Sequence, residues 1–175
     1  QAASSIANTM RVLSGVDLVF MQSCYVASDI YSGDHSQKDL GYLAKNDGGW
    51  PGLMALTGDQ IYTLVETTLS MTGNRGAVCN DSTLYVSSGF EMDITKTDKG
   101  YTLNALTVNG KELDRSKTYS FLIYGDRDWY MSTVMEEMGV LEVDTTGPKA
   151  EQYLLQRLVE QGGQLEAPTD YITLR

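Results

Sequence analysis

Residues 84–125, LYVSSGFEMDITKTDKGYTLNALTVNGKELDRSKTYSFLIYG, decide the fold of this chain. Short runs rich in β-branched and aromatic residues are separated by Asp98-Lys99-Gly100 and by Asn109-Gly110. Asn-Gly is a strong hairpin signal, because both residues tolerate the positive φ angles of a tight turn. The stretch therefore predicts strand, turn, strand, turn, strand: an antiparallel β-meander.

A cluster of charged and aromatic residues, GDRDWY, follows the meander at 125–130. Binding side chains often lie on loops that a rigid scaffold positions, so this cluster predicts a binding loop. Its candidate residues are Tyr124, Asp126, Arg127, Asp128 and Trp129. The alternative is that Trp129 and Tyr130 begin a helix and pack inward.

The segments before the meander alternate between helix and strand. SSIANTMRVLSG (4–15) predicts a helix capped by Ser4 or Ser5, and VDLVFMQ (16–22) predicts a buried strand. KDLGYLAK (38–45) predicts one or two helical turns, and NDGGWPG (46–52) predicts a break before a short strand, LMAL. Thr57 and Gln60 then form a capping box that opens the best-defined helix.

After Tyr124 the pattern returns to helix. We expect a helix that ends at Gly139, a strand at VLEV (140–143), a helix from Pro148 to Gly162 and a final strand, DYITLR (170–175). Helices and strands are thus mixed throughout the chain. The predicted fold is α+β (mixed α/β): a single layered domain in which a mixed β-sheet containing the meander is flanked by helices.

Composition excludes some partners. The chain has 175 residues, enough for one domain with a core, and its formal net charge is −10. Its 13 Lys and Arg residues are scattered, whereas nucleic-acid binding needs clustered cations. No apolar run has the length of a membrane span. We therefore expect no nucleic-acid partner and no membrane insertion.

Catalytic motifs are missing from the sequence. The one histidine, His35, cannot by itself build a zinc-type centre, and no calcium loop, phosphate-binding loop or nucleophile elbow occurs. Cys24 and Cys79 match no C-x-x-C pattern. Two separate thiols are the simpler interpretation of this pair, and a disulfide stays open if the chain is exported. The residues alone predict a binding or structural domain, not a self-sufficient enzyme.

Four segments in this order carry a family resemblance: SSIANTMRVLSGVDLVFMQ (4–22), LTGDQIYTLVE (56–66), VSSGF (86–90) and VNGKELDRSKTYS (108–120). Together they resemble the C-terminal domain of 5′-nucleotidases, and the likeness runs from about residue 4 to residue 174. The resemblance implies a secreted or periplasmic two-domain protein. Its N-terminal domain would hold two metal ions and hydrolyse a phosphate ester. Its C-terminal domain would grip the nucleoside between two aromatic rings.

On this resemblance, residues 1–175 are a C-terminal substrate-binding domain. We expect them to be a fragment of a longer chain whose N-terminal metallophosphoesterase domain is absent. The divalent metals would lie in that domain, and this chain would hold no cofactor and have no activity alone. The parent protein would be bacterial and extracellular, cell-surface or periplasmic. Its ligand would be a nucleoside, a nucleotide or a related small molecule.

The substrate-contacting positions depart from the family. Gln22 takes the place of the family's Asn, and Ala27 stands where the family has an Arg that holds an anion through a charge-assisted fork. The family's P-F-x-N loop has lost its Phe, for which Trp50 is the available substitute. Gln22 is open to two interpretations: it contacts a ligand, or it holds its neighbouring loop.

The third family loop is shortened to YGDRDWY (124–130). Asp126 or Asp128 replaces the family Asp, and Tyr124, Trp129 or Tyr130 replaces its aromatic residue. Arg127 either pairs with a neighbouring Asp or replaces the missing arginine. The leading hypothesis is therefore a nucleotide-binding domain; the alternative is a domain that has lost nucleotide recognition and serves as a structural or altered-ligand module in a cell-surface protein.

Overall fold

The computed structural model describes residues 2–26, 49–70, 85–98, 100–126, 134–140, 142–162 and 172–174. These residues form three α-helices and eight strands. In chain order they are α1 (Ala2–Ser14), β1 (Leu18–Gln22), β2 (Gly49–Thr57), α2 (Gly58–Ser70), β3 (Tyr85–Ser88), β4 (Glu91–Thr97), β5 (Gly100–Val108), β6 (Lys111–Glu112), β7 (Thr118–Asp126), α3 (Ala150–Glu160) and β8 (Ile172–Leu174).

The strands form two four-stranded sheets. The first has the order β2-β7-β1-β3, with β7 and β1 parallel and the outer pairs antiparallel. The second has the order β6-β5-β4-β8, with β4 and β8 parallel. Both sheets are mixed. The predicted mixed α/β fold class is confirmed, with two sheets where the sequence predicts one.

The meander is divided between these sheets. β4, β5 and β6 follow one another as predicted, and the Asn109-Gly110 turn has φ angles of 52° and 72°. β3 and β7, however, belong to the first sheet. The chain leaves that sheet at Gly89, whose φ is 86° and where a Cβ would collide with the Asp17 carbonyl oxygen. Only glycine accommodates both constraints.

Two apolar clusters hold the layers together. On one face of the first sheet, α1 and α3 pack over β1 and β7 through residues such as Ile6, Met10, Leu122 and Leu154. The other face packs against α2 and the second sheet. Side chains alternate between these faces along β1 and β7, so both strands carry a continuous apolar run, Leu18–Met21 and Phe121–Tyr124.

The predicted break at 46–52 is wrong from Gly49 onward, because β2 begins there and runs through Pro51. β2 lies at an edge of the first sheet, where a proline can omit its N–H without breaking a ladder. The strand predicted at 140–143 is also not formed over the residues described there. A single bridge between Leu53 and Asp144 covers the β2 edge instead.

The helix signals were more accurate. The Thr57 N–H donates to Gln60 Oε1 at 2.9 Å and the Gln60 N–H donates to Thr57 Oγ1 at 3.3 Å, which confirms the capping box. Gly15, Gly139 and Gly162 all have positive φ where helical segments end. The first helix begins at Ala2, so the predicted caps Ser4 and Ser5 lie inside it. The helical turns predicted at 38–45 lie outside the described residues.

Candidate functional site

Four strand ends lie side by side at one end of the first sheet, where the strands meet their loops. We call this end of the sheet the loop edge. β1 ends there at Gln22 and β7 ends at Asp126, while β2 begins at Gly49 and β3 begins at Tyr85. The register fixes this arrangement, because Gln22 pairs with Tyr85 and Gly49 pairs with Asp126. Ligands of α/β proteins commonly bind outside the carboxyl ends of parallel strands, here β1 and β7.

Gln22 links three strands at the loop edge. Its side-chain oxygen accepts a 2.9 Å hydrogen bond from the Asp126 N–H, and its side-chain amide donates a 3.1 Å hydrogen bond to the Tyr85 hydroxyl. Gln22 is only 2% exposed. Both ends of the amide are therefore engaged within the protein. Of the two interpretations of Gln22, the geometry fits the residue that holds its neighbours.

A stacking contact of its ring fixes Tyr85 in turn. The ring stacks on Phe20 of β1 with centroids 4.9 Å apart and planes within 10°. Sequence reasoning missed Tyr85 as part of this site. Its position opposite Gln22 follows only from the pairing of β1 with β3, which no local sequence signal reveals.

Trp50 lies near the loop edge, opposite Gly125 of β7. It is 9% exposed, and its ring lies over Gly52, where a Cβ would be 2.7 Å from the indole Cη2. The indole N–H has no hydrogen-bond partner among the described residues. A buried donor without an acceptor costs free energy.

Tyr124 faces the other side of the sheet. It is 1% exposed, it meets Tyr25 edge-to-face with centroids 6.0 Å apart, and its hydroxyl accepts a 3.4 Å hydrogen bond from the Ala150 N–H. Burial raises the pKa of the Tyr124 phenol, so it stays protonated at neutral pH. A Cβ at Gly49 would approach its ring to 2.6 Å, which explains a glycine there.

Asp126, the last residue of β7, is half-buried. Burial, and then the charge of Asp126, raise the pKa of Tyr25 to about 12. The other three candidates, Arg127, Asp128 and Trp129, lie outside the described residues, as does Ala27. The structure thus brings four of the candidates to the loop edge, with Gln22 and Trp50 on one face of the sheet and Tyr124 and Asp126 on the other. The ligand contacts predicted for all seven residues stay a prediction.

Cys24, two residues after β1, is disulfide-bonded. The sequence has one other cysteine, Cys79, which lies outside the described residues. The preference for two separate thiols is therefore wrong. Sequence could not decide this, because 55 positions separate the two cysteines and their proximity depends on the fold.

Metal-ligating clusters and membrane-spanning helices are both missing from the described part of the chain. No group of three or more His, Cys, Asp or Glu side chains is placed to hold a metal ion within the described ranges. No helix in the same ranges is both long enough and apolar enough to cross a bilayer.

Residues 1–125 match the family model described as 5′-nucleotidase, C-terminal domain. NAD nucleotidase from Haemophilus influenzae is a similar solved structure, with a TM-score of 0.75 and 18% identity over 99% of this chain and 32% of its own. The 5′-nucleotidase precursor from Thermus thermophilus gives 0.74 and 15% over 98% and 34%. The sulfate thiohydrolase from the same organism gives 0.68 and 16% over 98% and 31%.

At these identities the structural likeness shows the fold. The chain spans about one third of the length of each of these proteins. Among curated proteins, none matches the sequence.

Proposed function

Because the chain belongs to the family of 5′-nucleotidase C-terminal domains, we propose that residues 1–175 form the ligand-binding domain of an exported, bacterial 5′-nucleotidase-like phosphoester hydrolase. The ligand is a nucleoside, a nucleotide or a related small molecule. The domain supplies ligand contacts at the loop edge. It does not hydrolyse the ligand by itself.

The observation that carries this proposal is the family match over residues 1–125, which includes β1 and nearly all of β7. These two parallel strands end side by side at the loop edge. The chain that continues from β7 carries Arg127, Asp128 and Trp129. We infer that these three contact the ligand, while Gln22 positions Asp126, the last residue of β7, through its N–H.

Trp50 contributes to the same site in this proposal. Its indole N–H is buried and has no acceptor among the described residues. Nucleobases and ribose hydroxyls present acceptors that such a donor binds. Its packing over Gly52 fixes the ring direction, so the donor is preorganised rather than mobile.

We place the chemistry in a separate N-terminal metallophosphoesterase domain of the same protein, which would hold the divalent metals. α1 and β1 are joined by three residues and contact each other, so the amino end of α1 lies toward the loop edge. A domain joined ahead of α1 would therefore lie beside the site. Export is supported by the Cys24 disulfide, because such bonds are rare in the cytosol.

Calorimetric titration of the 175-residue chain with adenosine, AMP and a UDP-sugar tests the proposal. We expect saturable binding of at least one of them. Trp129→Ala and Arg127→Gln should each weaken it by about tenfold or more, because stacking and charge-assisted hydrogen bonds contribute at that scale. Lys96→Gln is the matched control, since this exposed residue lies on β4, in the other sheet.

The same preparations are assayed for phosphate release from AMP with added divalent cations. The proposal predicts none above the uncatalysed rate. Metal-dependent release by the chain alone would contradict the division of labour between the domains.

A second candidate function is a structural or altered-ligand module that has lost nucleotide recognition. Two observations favour it: Ala27 replaces an anion-binding arginine of the family, and Gln22 has both amide groups engaged within the protein. Absence of heat with all three ligands, in a chain that unfolds cooperatively, would support this candidate over the first.

A further inference from the structure

A cleft lies at the end of the first sheet opposite to the loop edge. It has a volume of about 360 Å³ and is lined by the beginnings of β1 and β7 and by the β5–β6 turn. We call it the amino-end cleft. Its floor is apolar and buried, formed by Val16, Leu18, Phe90 and Tyr119. This volume lies within the range of small-molecule sites, and charged and polar side chains surround the apolar floor.

Two cations on the rim lack ion-pair partners among the described residues. Arg11 donates through Nε to Ser88 Oγ at 3.0 Å, and its Cδ packs beside Gly89. This contact fixes the side chain, and the described residues supply no hydrogen-bond partner for its terminal amino groups. Lys117 has its Nζ 4.7 Å from the centre of the Tyr119 ring, a cation–π contact that leaves its N–H donors available.

Two carboxylates complete the rim. Asp17 Oδ2 accepts hydrogen bonds from the Ser120 N–H and hydroxyl, both at 2.9 Å, and Glu91 Oε2 accepts one from Thr107 at 3.3 Å. Both carboxylates thus accept their hydrogen bonds from neutral donors, while the nearby charge of Lys117 also helps to lower the pKa of Asp17. The four charges of the rim sum to zero, so the rim offers separate positive and negative positions rather than one net charge.

From this arrangement we propose that the amino-end cleft binds a small zwitterion of amino-acid type. Its carboxylate binds the Arg11 guanidinium and the Lys117 ammonium. Its ammonium group binds Glu91 and Asp17. A simple anion would be repelled by the rim carboxylates, and a simple cation would be repelled by Arg11 and Lys117. Only a molecule that carries both charges can place each of them against rim groups of opposite charge. The site is separate from the loop edge and does not depend on the function proposed there.

Two-dimensional amide NMR of the 175-residue chain tests this assignment with L-alanine and L-glutamate as probes. Acetate and ethylammonium, each carrying one half of the charge pair, are titrated at matched ionic strength. We expect saturable shifts of the Gly89 amide and the Asn109 side-chain amide with an amino acid. Neither half-probe should reach saturation at a tenfold higher concentration than the amino acid requires.

Lys117→Gln and Glu91→Gln should each weaken amino-acid binding by about fivefold or more, because each removes one charge-assisted contact. Both residues are exposed, and the amide spectrum shows directly whether the fold is kept. Lys111→Gln and Glu112→Gln on β6 are matched controls outside the cleft and should bind as the unaltered chain does. Absence of saturation with both amino acids, or equal saturation with acetate alone, would overturn the proposal.

Discussion

Gln22 shows how a single side chain sets the geometry of the loop edge. It is almost fully buried, it receives the N–H of Asp126, and it donates to Tyr85. The chain that follows Asp126 therefore starts from a strand end that Gln22 holds in place.

Replacing Gln22 by Leu should lower the free energy of unfolding by about 2–4 kcal/mol, because it leaves the Asp126 N–H and the Tyr85 hydroxyl buried without this partner. Urea unfolding measures the change. Gln156→Leu makes the same replacement at an exposed position of α3 and should stay within about 0.5 kcal/mol of the unaltered chain. Equal effects of the two replacements would show that the Gln22 bridge contributes nothing.

Asp17 provides a pH-dependent contribution to stability. The hydrogen bond from the Ser120 N–H lowers the pKa of Asp17 below its ordinary value of 3.8, helped by smaller effects of the Ser120 hydroxyl and Lys117, and burial opposes them only in part. The contribution is therefore present above the pKa of the unfolded state and is lost as the pH falls through the lower folded pKa.

Asp17→Asn should thus reduce stability by about 0.5–1 kcal/mol at pH 7, a modest value because Asp17 is exposed. The difference from the unaltered chain should shrink progressively as the pH falls below about 4. Thermal unfolding between pH 7 and pH 2 measures this. A difference that stays constant over this range would mean that the charge of Asp17 is irrelevant.

At the scale of the elements, the contacts at the start of α2 explain why position 58 is a glycine. The Gly58 N–H donates to the Lys117 carbonyl and the Asp59 N–H donates to the Arg115 carbonyl, both at 2.9 Å. A Cβ on Gly58 would collide with the Asp114 carbonyl oxygen. The helix start is therefore built around the chain that leads into β7.

Gly58→Ala should destabilise the protein by about 1–3 kcal/mol, although alanine favours helices, because the methyl group overpacks against backbone that cannot move freely. Chemical unfolding measures the loss. Thr63→Ala on the exposed side of the same helix is the control and should change stability by less than about 0.5 kcal/mol. A stabilising Gly58→Ala would refute the close approach.

How well sequence predicts each element depends on whether its signal is local. The Thr57–Gln60 capping box and the Asn109-Gly110 turn are fixed by adjacent residues, and the structure confirms both. The sequence pattern instead places Pro51 in a break, because tolerance of a proline in β2 depends on the strand being at an edge. Whether a strand lies at an edge depends on the whole sheet, and no local sequence pattern reveals it.

The candidate site was less predictable for the same reason. The end of a predicted strand indicates Gln22, but its partner Tyr85 comes from a strand 63 positions away. Tyr124 alternates to the opposite face from Gln22, which depends on the register of β1 with β7. The sequence therefore predicts which segments form the site, but it does not show on which face of the sheet each side chain lies.

At the scale of the whole molecule, the Cys24 disulfide ties the segment after β1 to a distant part of the chain. Reducing it should lower the free energy of unfolding by about 2–5 kcal/mol, as loss of native disulfides commonly does. Thermal unfolding with and without dithiothreitol measures the change. Cys24→Ser is the control and should be insensitive to the reductant; equal stability of the oxidised and reduced chains would contradict the expectation.

At the same scale, our central proposal is that this domain binds a nucleoside-bearing molecule where β1 and β7 end. Amide NMR of the 175-residue chain during titration with AMP tests that claim most directly. The account predicts saturable shifts of the Trp50 indole N–H and of the Gly125 and Asp126 amides, with Gly89 at the amino-end cleft unmoved. Saturable shifts confined to other parts of the molecule, or none at millimolar AMP, would contradict it.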